Sequence, residues 1–194
     1  MDDVARVLAR SAPREEPAEP GVRWAAVAVV LHGRTARDAE LLFIRRAERD
    51  GDPWSGHVAF PGGRHDRTDT SLEHTARRET HEELGLDLGT AGTLVGRLDD
   101  LRPRNAPLPP IVVRPWVYAV REPVALTPNA EVRSAFWTPL ARLLDPVVRH
   151  EHAVSHAGTR WRFPAYRLGE DVVWGMTERI TTQLLLRLQE GSLL

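Results

Sequence analysis

The segment from Gly62 to Leu86, GGRHDRTDTSLEHTARRETHEELGL, constrains the fold of this chain more than any other. Two adjacent glycines lead through a turn-rich stretch into a helix whose two ends are both marked. Thr70 and Glu73 have the spacing of a capping box, in which a hydroxyl and a carboxyl satisfy the first free N–H groups. Gly85 stands where a residue in the left-handed conformation closes a helix. The pattern predicts a helix over Thr70–Leu84, entered from a sharp turn. Strand-like runs surround it: Trp24–Leu31 and Leu41–Arg46 as a hairpin, HVAFPGG as a short strand and turn, then Thr93–Leu101 and Ile111–Val120. Phe136–Leu144 reads as a strand end running into a short helix. Trp161–Leu168 and Asp171–Trp174 flank a turn at Gly169. Thr177–Leu188 is an amphipathic helix with Ile180, Leu184 and Leu188 on one face. Strands and helices interleave irregularly, so the expected class is α/β with a mixed β-sheet between helices.

A chain of 194 residues suits one domain with small additions. Residues 2 to 10 form a short helix on this reading, and Ser11–Gly21 is a Pro/Glu-rich linker or strap. The division is 1–20 for helix and linker and 21–190 for the main domain. Basic and acidic residues nearly cancel, 26 against 27, which argues against a broad nucleic-acid surface. Every basic residue is arginine, so lysine chemistry is excluded: no Schiff base and no P-loop lysine. The absence of cysteine removes thiol catalysis and disulfides. The longest apolar run, Trp24–Leu31, is far short of a membrane span, and the acidic start MDDVARVLAR lacks the apolar core of a signal peptide. A soluble cytoplasmic protein is expected, with no nucleic-acid or membrane partner.

Glu79, Glu82 and Glu83 fall at i, i+3 and i+4, so three carboxylates share one helix face near its negative end. Such a cluster is either a solvated acidic helix end or a site for a hard divalent cation, which takes oxygen ligands. Helix physics alone leaves the two readings even. Context favours the cation. The Gly62-Gly63 turn can bring a backbone carbonyl close. Arg78 can pair with Glu82 four residues on, and Arg64 can face a phosphate.

In order and spacing the segment resembles the Nudix box, a glycine loop leading into a helix that ends Arg-Glu-x-x-Glu-Glu-x-Gly. Arg78, Glu79, Glu82, Glu83 and Gly85 occupy those positions. Asp69 holds the acidic position, and Arg78 comes one residue later than the general pattern. That expansion resembles the coenzyme A diphosphatase branch. LLFIRRAERDGDPWSGHVAFPGGR is similar to the branch's upstream motif, with Arg45 as its strand arginine. The branch carries basic residues before the motif's glycine, where this chain has the acidic, aromatic DGDPWSG. NAEVRSAFWTPLARLL and VVWGMTERI resemble later family segments, so the similarity runs from about Trp24 to Leu188.

The resemblance implies a Nudix α/β/α sandwich that uses Mg²⁺ or Mn²⁺ to hydrolyse a nucleoside diphosphate linked to another moiety. Coenzyme A is the first expectation, giving 3′,5′-ADP and 4′-phosphopantetheine. A nucleotide sugar, ADP-ribose or a dinucleotide is the alternative, as is an inactive nucleotide-binding module. Glu79, Glu83, Glu82 and the Gly63 carbonyl are the implied metal ligands. Arg78 and Glu82 are implied in catalysis, Glu131 is a candidate general base, and Arg45 and Arg64 are candidate phosphate contacts. Homodimers occur in the family and are a possibility here.

Other residues have plainer readings. His150, His152 and His156 look loosely like a transition-metal cluster, but Pro146 and Gly158 nearby favour a solvated loop. Trp54 is divided between stacking on a nucleobase and anchoring its loop. Trp116, Trp137 and Trp174 read as core, and Arg102 and Arg104 as surface.

Overall fold

The computed structural model describes residues 1–49, 55–103, 110–121, 124–156 and 159–194. The readings made for Trp54 and Arg104 lie outside this set, as does most of the DGDPWSG loop.

Strand β1 (Arg23–His32) is the axis of the molecule. It pairs in parallel with β6 (Ile111–Val120) over all ten residues, from Arg23↔Ile111 to His32↔Val120. On its other side it meets β2 (Glu40–Arg46) and β4 (Gly62–Arg64) antiparallel. Three further strands complete the mixed sheet: β3 (Val58–Ala59) and β7 (Val132–Pro139) on β2, and β5 (Gly92–Arg97) on β6. The continuous apolar run of β1 follows from burial on both faces. Ala26, Ala28 and Val30 point to a core shared with Leu42, Ile44, Tyr118 and helix α2 (Leu72–Leu84). Val29 and Leu31 point the other way, to a second core with Phe43 and Val117. Helices α1 (Asp2–Leu8) and α4 (Gly175–Glu190) cover that face through Val4, Leu8, Ile180 and Leu184. The expected layering of a mixed sheet between helices is what the chain adopts.

Helix α2 starts differently from expectation. Its cap is Ser71, whose hydroxyl accepts from the His74 N–H at 3.0 Å. Glu73 does not close a box with Thr70; its carboxylate accepts the Tyr118 hydroxyl at 2.8 Å. The far end is as predicted, with Gly85 left-handed at φ 67°. The segment from Thr127 to Asn129 also serves that end. The N–H groups of Thr127 and Asn129 donate to the carbonyls of Leu84 and Glu83, two acceptors a helix end leaves free.

A second, three-stranded sheet follows the short helix α3 (Leu140–Leu144). It orders β10 (Asp171–Trp174), β9 (Thr159–Leu168) and β8 (Arg149–His156). The histidine segment read as a loop is therefore strand β8, paired residue for residue with β9. Alternation along it was masked by the run of polar side chains. Trp116, Trp137 and Trp174 are half-buried, and Trp116 and Trp137 pack against the core on the α2 side.

The N-terminal strap is pinned as well. Arg14 donates to Asp99 from its backbone N–H (3.0 Å) and Nε (2.9 Å), and Glu16 N–H donates to Asp100 at 2.9 Å. No described helix is long and apolar enough to cross a membrane.

Candidate active site

The site grows from the glycine turn. Gly62 N–H donates to the Glu83 carboxylate at 2.9 Å, so strand β4 and the last turn of α2 are tied at one point. Gly63 packs directly on Glu79. A Cβ on Gly63 would sit 2.7 Å from Glu79 Oε2, inside any allowed contact. Gly62, at φ 149°, has no room either, because a Cβ there would run into the β1 backbone. Gly62 is thus required by the backbone of β1, while a methyl on Gly63 would displace the Glu79 carboxyl.

Burial sorts the three carboxylates. Glu83 is buried at 3% exposure and Glu79 is mostly buried, while Glu82 is half-exposed. Loss of solvent pushes the Glu83 carboxyl up to about 8. The charges of Glu79 and Glu131 add to this, and the Gly62 N–H and Arg46 oppose it. Burial also raises Glu79.

Arg78 binds the other side of the cluster. Its Nη1 lies 3.0 Å from both Glu79 Oε1 and Glu82 Oε2. Its Nε and Nη2 donate to the two oxygens of Asp69 at 2.8 and 3.0 Å. Asp69 is fully buried at its side chain and also accepts from Thr75 Oγ1 (2.9 Å) and Asp66 N–H (3.0 Å). His65 Nδ1 lies 2.8 Å from that hydroxyl, and His74 Nδ1 3.1 Å from Asp69. The Arg78 bonds hold the Asp69 carboxyl well below the usual carboxylate range. In sequence, Asp69 stood out only as an acidic box position; here it is the hub that aims Arg78. The DRTD turn ahead of Thr70 and Ser71 marks a bend there but not its partner.

The structure separates the two candidate phosphate arginines. Arg64 is exposed beside Gly63, and among the described residues its guanidinium has no ion-pair partner. Arg45 continues the parity of Phe43 and faces away from α2, where its Nε donates to Asp171 at 2.8 Å. A register irregularity with β7 falls between Arg45 and Arg46. It is Arg46 whose charge acts on Glu83, a residue the sequence reading passed over. Glu131 sits past the loop that covers the end of α2, its N–H donating to Asn129 Oδ1 and its carboxylate 3.1 Å from Arg49.

Among the described residues, no three acidic, histidine or cysteine side chains already converge into a cage. The Glu79–Glu83 pair still fits a hard cation. Its donors are all oxygen, the Gly62 N–H and Arg46 offset the burial of ionised Glu83 only in part, and the space beside Glu79 is kept clear by a missing Cβ. One or two carboxylates with water and substrate oxygens are what Mg²⁺ accepts.

A family model described as the NUDIX domain matches residues 22–165. The chain is 34% identical over 157 residues to the mitochondrial coenzyme A diphosphatase NUDT8 of Homo sapiens, covering 78% of this chain and 64% of that one. It is 35% identical over 160 residues to the uncharacterized protein C14C4.10c of Schizosaccharomyces pombe, covering 73% and 48%. The chain thus spans about half to two thirds of the length of these relatives. Among solved structures, a MutT/nudix family protein from Enterococcus faecalis superposes with a TM-score of 0.58 at 19% identity, covering 96% of this chain and 73% of that one.

Proposed function

The chain belongs to the NUDIX domain family, and from that premise we propose that it hydrolyses the pyrophosphate bond of a nucleoside diphosphate linked to another moiety, with coenzyme A or an acyl derivative as substrate. The observation that carries this reading is the Glu79–Glu83 pair, held against the glycine turn with Arg78 locked beside it. An acidic pair built this tightly is costly unless a cation and an anionic substrate use it.

Glu79 and Glu83 are the proposed residues for Mg²⁺ or Mn²⁺, with Glu82 and the Gly63 carbonyl as further ligands. When bound, such an ion neutralises pyrophosphate oxygens and lowers the pKa of water. The chain's own residues do the rest. The Gly62 N–H fixes Glu83, and Asp69 fixes Arg78, which in turn orients Glu79 and Glu82. Glu131 is the proposed base. What supports it is its charge, which acts on Glu83; its N–H donates to Asn129 Oδ1 and its carboxylate pairs with Arg49. Arg64 is the proposed phosphate contact, its guanidinium without an ion-pair partner among the described residues. Arg45 joins it only by exchanging Asp171 for a phosphate.

Coenzyme A is supported by the named relative in Homo sapiens and by the branch-like spacing of Asp69 and Arg78. A second reading, a different nucleoside diphosphate such as a nucleotide sugar, ADP-ribose or a dinucleotide, rests on Asp50 and Asp52, acids where that branch has basic residues. Cytoplasmic action on a small molecule, as monomer or homodimer, completes the proposal. The test is a panel of coenzyme A, 3′-dephospho-coenzyme A, ADP-ribose and a dinucleotide with Mg²⁺, products separated by chromatography. Release of 3′,5′-ADP and 4′-phosphopantetheine, abolished by EDTA, is expected. Cleavage of ADP-ribose alone would replace the substrate and leave the carboxylates in place.

A further inference from the structure

One buried hydroxyl beside the site has no part in the chemistry above. Thr75 is fully buried on α2, three residues before Arg78 and four before Glu79. Residues at those spacings share a helix side. A threonine inside a helix commonly returns its proton to the carbonyl four residues back. Thr80 does so, donating to the Ala76 carbonyl at 2.7 Å. Thr75 departs from that habit. Its Oγ1 is 3.2 Å from the Ser71 carbonyl but 2.9 Å from Asp69 Oδ2. The bond to an ionised acceptor is the stronger, so the proton lies toward Asp69.

That choice fixes the next bond. A hydroxyl has one proton to give. His65 Nδ1 lies 2.8 Å from the same oxygen, so the ring nitrogen carries a hydrogen and donates it to Thr75. The direction of the whole chain follows. His65 donates to Thr75, and Thr75 donates to Asp69. Asp69 then accepts the Nε and Nη2 groups of Arg78 at 2.8 and 3.0 Å. The third nitrogen of Arg78 is the one that holds Glu79 and Glu82. His65 follows β4, and its backbone N–H donates to the Trp24 carbonyl of β1 at 2.9 Å. Sheet, turn and helix therefore meet at one oxygen, Thr75 Oγ1. An arginine fork needs both carboxylate oxygens in its plane. Without the hydroxyl, Asp69 Oδ2 keeps only Arg78 and the Asp66 N–H, and the carboxylate is free to tilt toward them.

We propose that Thr75 is a positioning residue: its hydroxyl, fixed by His65, sets the plane of the Asp69 carboxylate and through it the aim of Arg78 at Glu79 and Glu82. The inference rests on the diphosphatase reading for the reaction it serves.

Three variants of the full chain test it. Thr75→Val keeps the shape and removes the hydroxyl. Thr75→Ser keeps the hydroxyl. Thr80→Val removes a buried hydroxyl of the same helix that bonds to backbone. With Mg²⁺ and a diphosphate that wild type cleaves, Thr75→Val should lower kcat about ten-fold. KM should stay unchanged, the mark of an interaction that matters in the transition state. Thr75→Ser should keep most of the turnover, and Thr80→Val should match wild type. Melting curves establish that each variant is folded, and Thr75→Ala replaces Thr75→Val if the latter is not. Two readouts do not depend on hydrolysis. In two-bond ¹⁵N–¹H spectra at mildly alkaline pH, the His65 ring should carry its hydrogen on Nδ1, and in Thr75→Val on Nε2, the form histidine prefers in water. His65→Gln identifies the signal. Mg²⁺ affinity by calorimetry should fall in Thr75→Val and hold in Thr75→Ser. A folded Thr75→Val with wild-type kcat overturns the proposal. So does a Thr75→Ser as slow as Thr75→Val, or a Thr80→Val equally slow, or a wild-type His65 protonated on Nε2 alone. If wild type cleaves no diphosphate while the His65 spectra and Mg²⁺ affinities come out as stated, the diphosphatase reading fails and the role of Thr75 stands.

Discussion

Glu83 is a carboxyl that the fold holds in its least favourable state. In the metal-free protein it keeps its proton up to about pH 8, whereas the unfolded chain releases it near the ordinary value of 4.5. Folding therefore takes up a proton between these values, and stability falls as pH rises through them. Melting in EDTA should show a midpoint that declines between about pH 5 and 8, and Glu83→Gln should flatten the decline. The same variant should lose turnover by about two orders of magnitude or more, the cost of one essential charged group. Binding of Mg²⁺ at pH 7 should release a proton, seen as a heat that varies with the buffer's ionisation enthalpy. A buffer-independent heat would place the ion elsewhere. Gly63→Ala tests the neighbouring contact. The added methyl displaces the Glu79 carboxyl, so activity should fall by about ten-fold or more, with Mg²⁺ affinity falling in parallel.

Helix α2 is positioned by its ends, and its ends can be tested apart from its chemistry. Ser71→Ala removes the hydroxyl that accepts from His74 and should cost about 1 kcal/mol in denaturant unfolding. Thr70→Ala should cost only a few tenths, because no cap bond is lost. The opposite ranking would restore Thr70 as the cap. That pair also marks how far the sequence could be read. Ser71 and Thr70 are adjacent hydroxyls, and choosing between them needs the backbone that turns at Asp66–Asp69. Strand β1 was legible because both its faces are buried and its apolar run is unbroken, and β6 because β-branched and aromatic residues flank Arg114 and Pro115 on either side. Strand β8 was not, since its RHEHAVSH alternates ring and charge without an apolar face. Asp69 as the anchor of Arg78 was invisible for a different reason. Nine residues separate them, and only the turn into α2 folds one back onto the other. Arg46 faces α2 by the same alternation as Leu42 and Ile44, but only the folded chain brings the last turn of α2 close enough for its charge to act on Glu83.

Across the molecule, residues 1–21 behave as part of the main body. Val4, Val7 and Leu8 are buried, and the strap bonds to Asp99 and Asp100. Deleting residues 1–21 removes three buried aliphatic side chains, worth about 1.5–3 kcal/mol each. The truncated protein should melt at least about 10 °C lower, with part of it aggregating on purification. An unchanged midpoint would make the segment a true appendage. The long parallel pairing of β1 with β6 carries a further consequence. Each residue of β1 meets a partner about 90 residues later in the chain. On a ribosome, β1 is complete long before β6 exists, and it is apolar on both faces. Strands β2 and β4, synthesised early, can pair with it antiparallel in the interval and shelter it from other chains. Nascent chains stalled before Ile111 should therefore bind chaperones strongly, and release should come only once Val120 has cleared the exit tunnel.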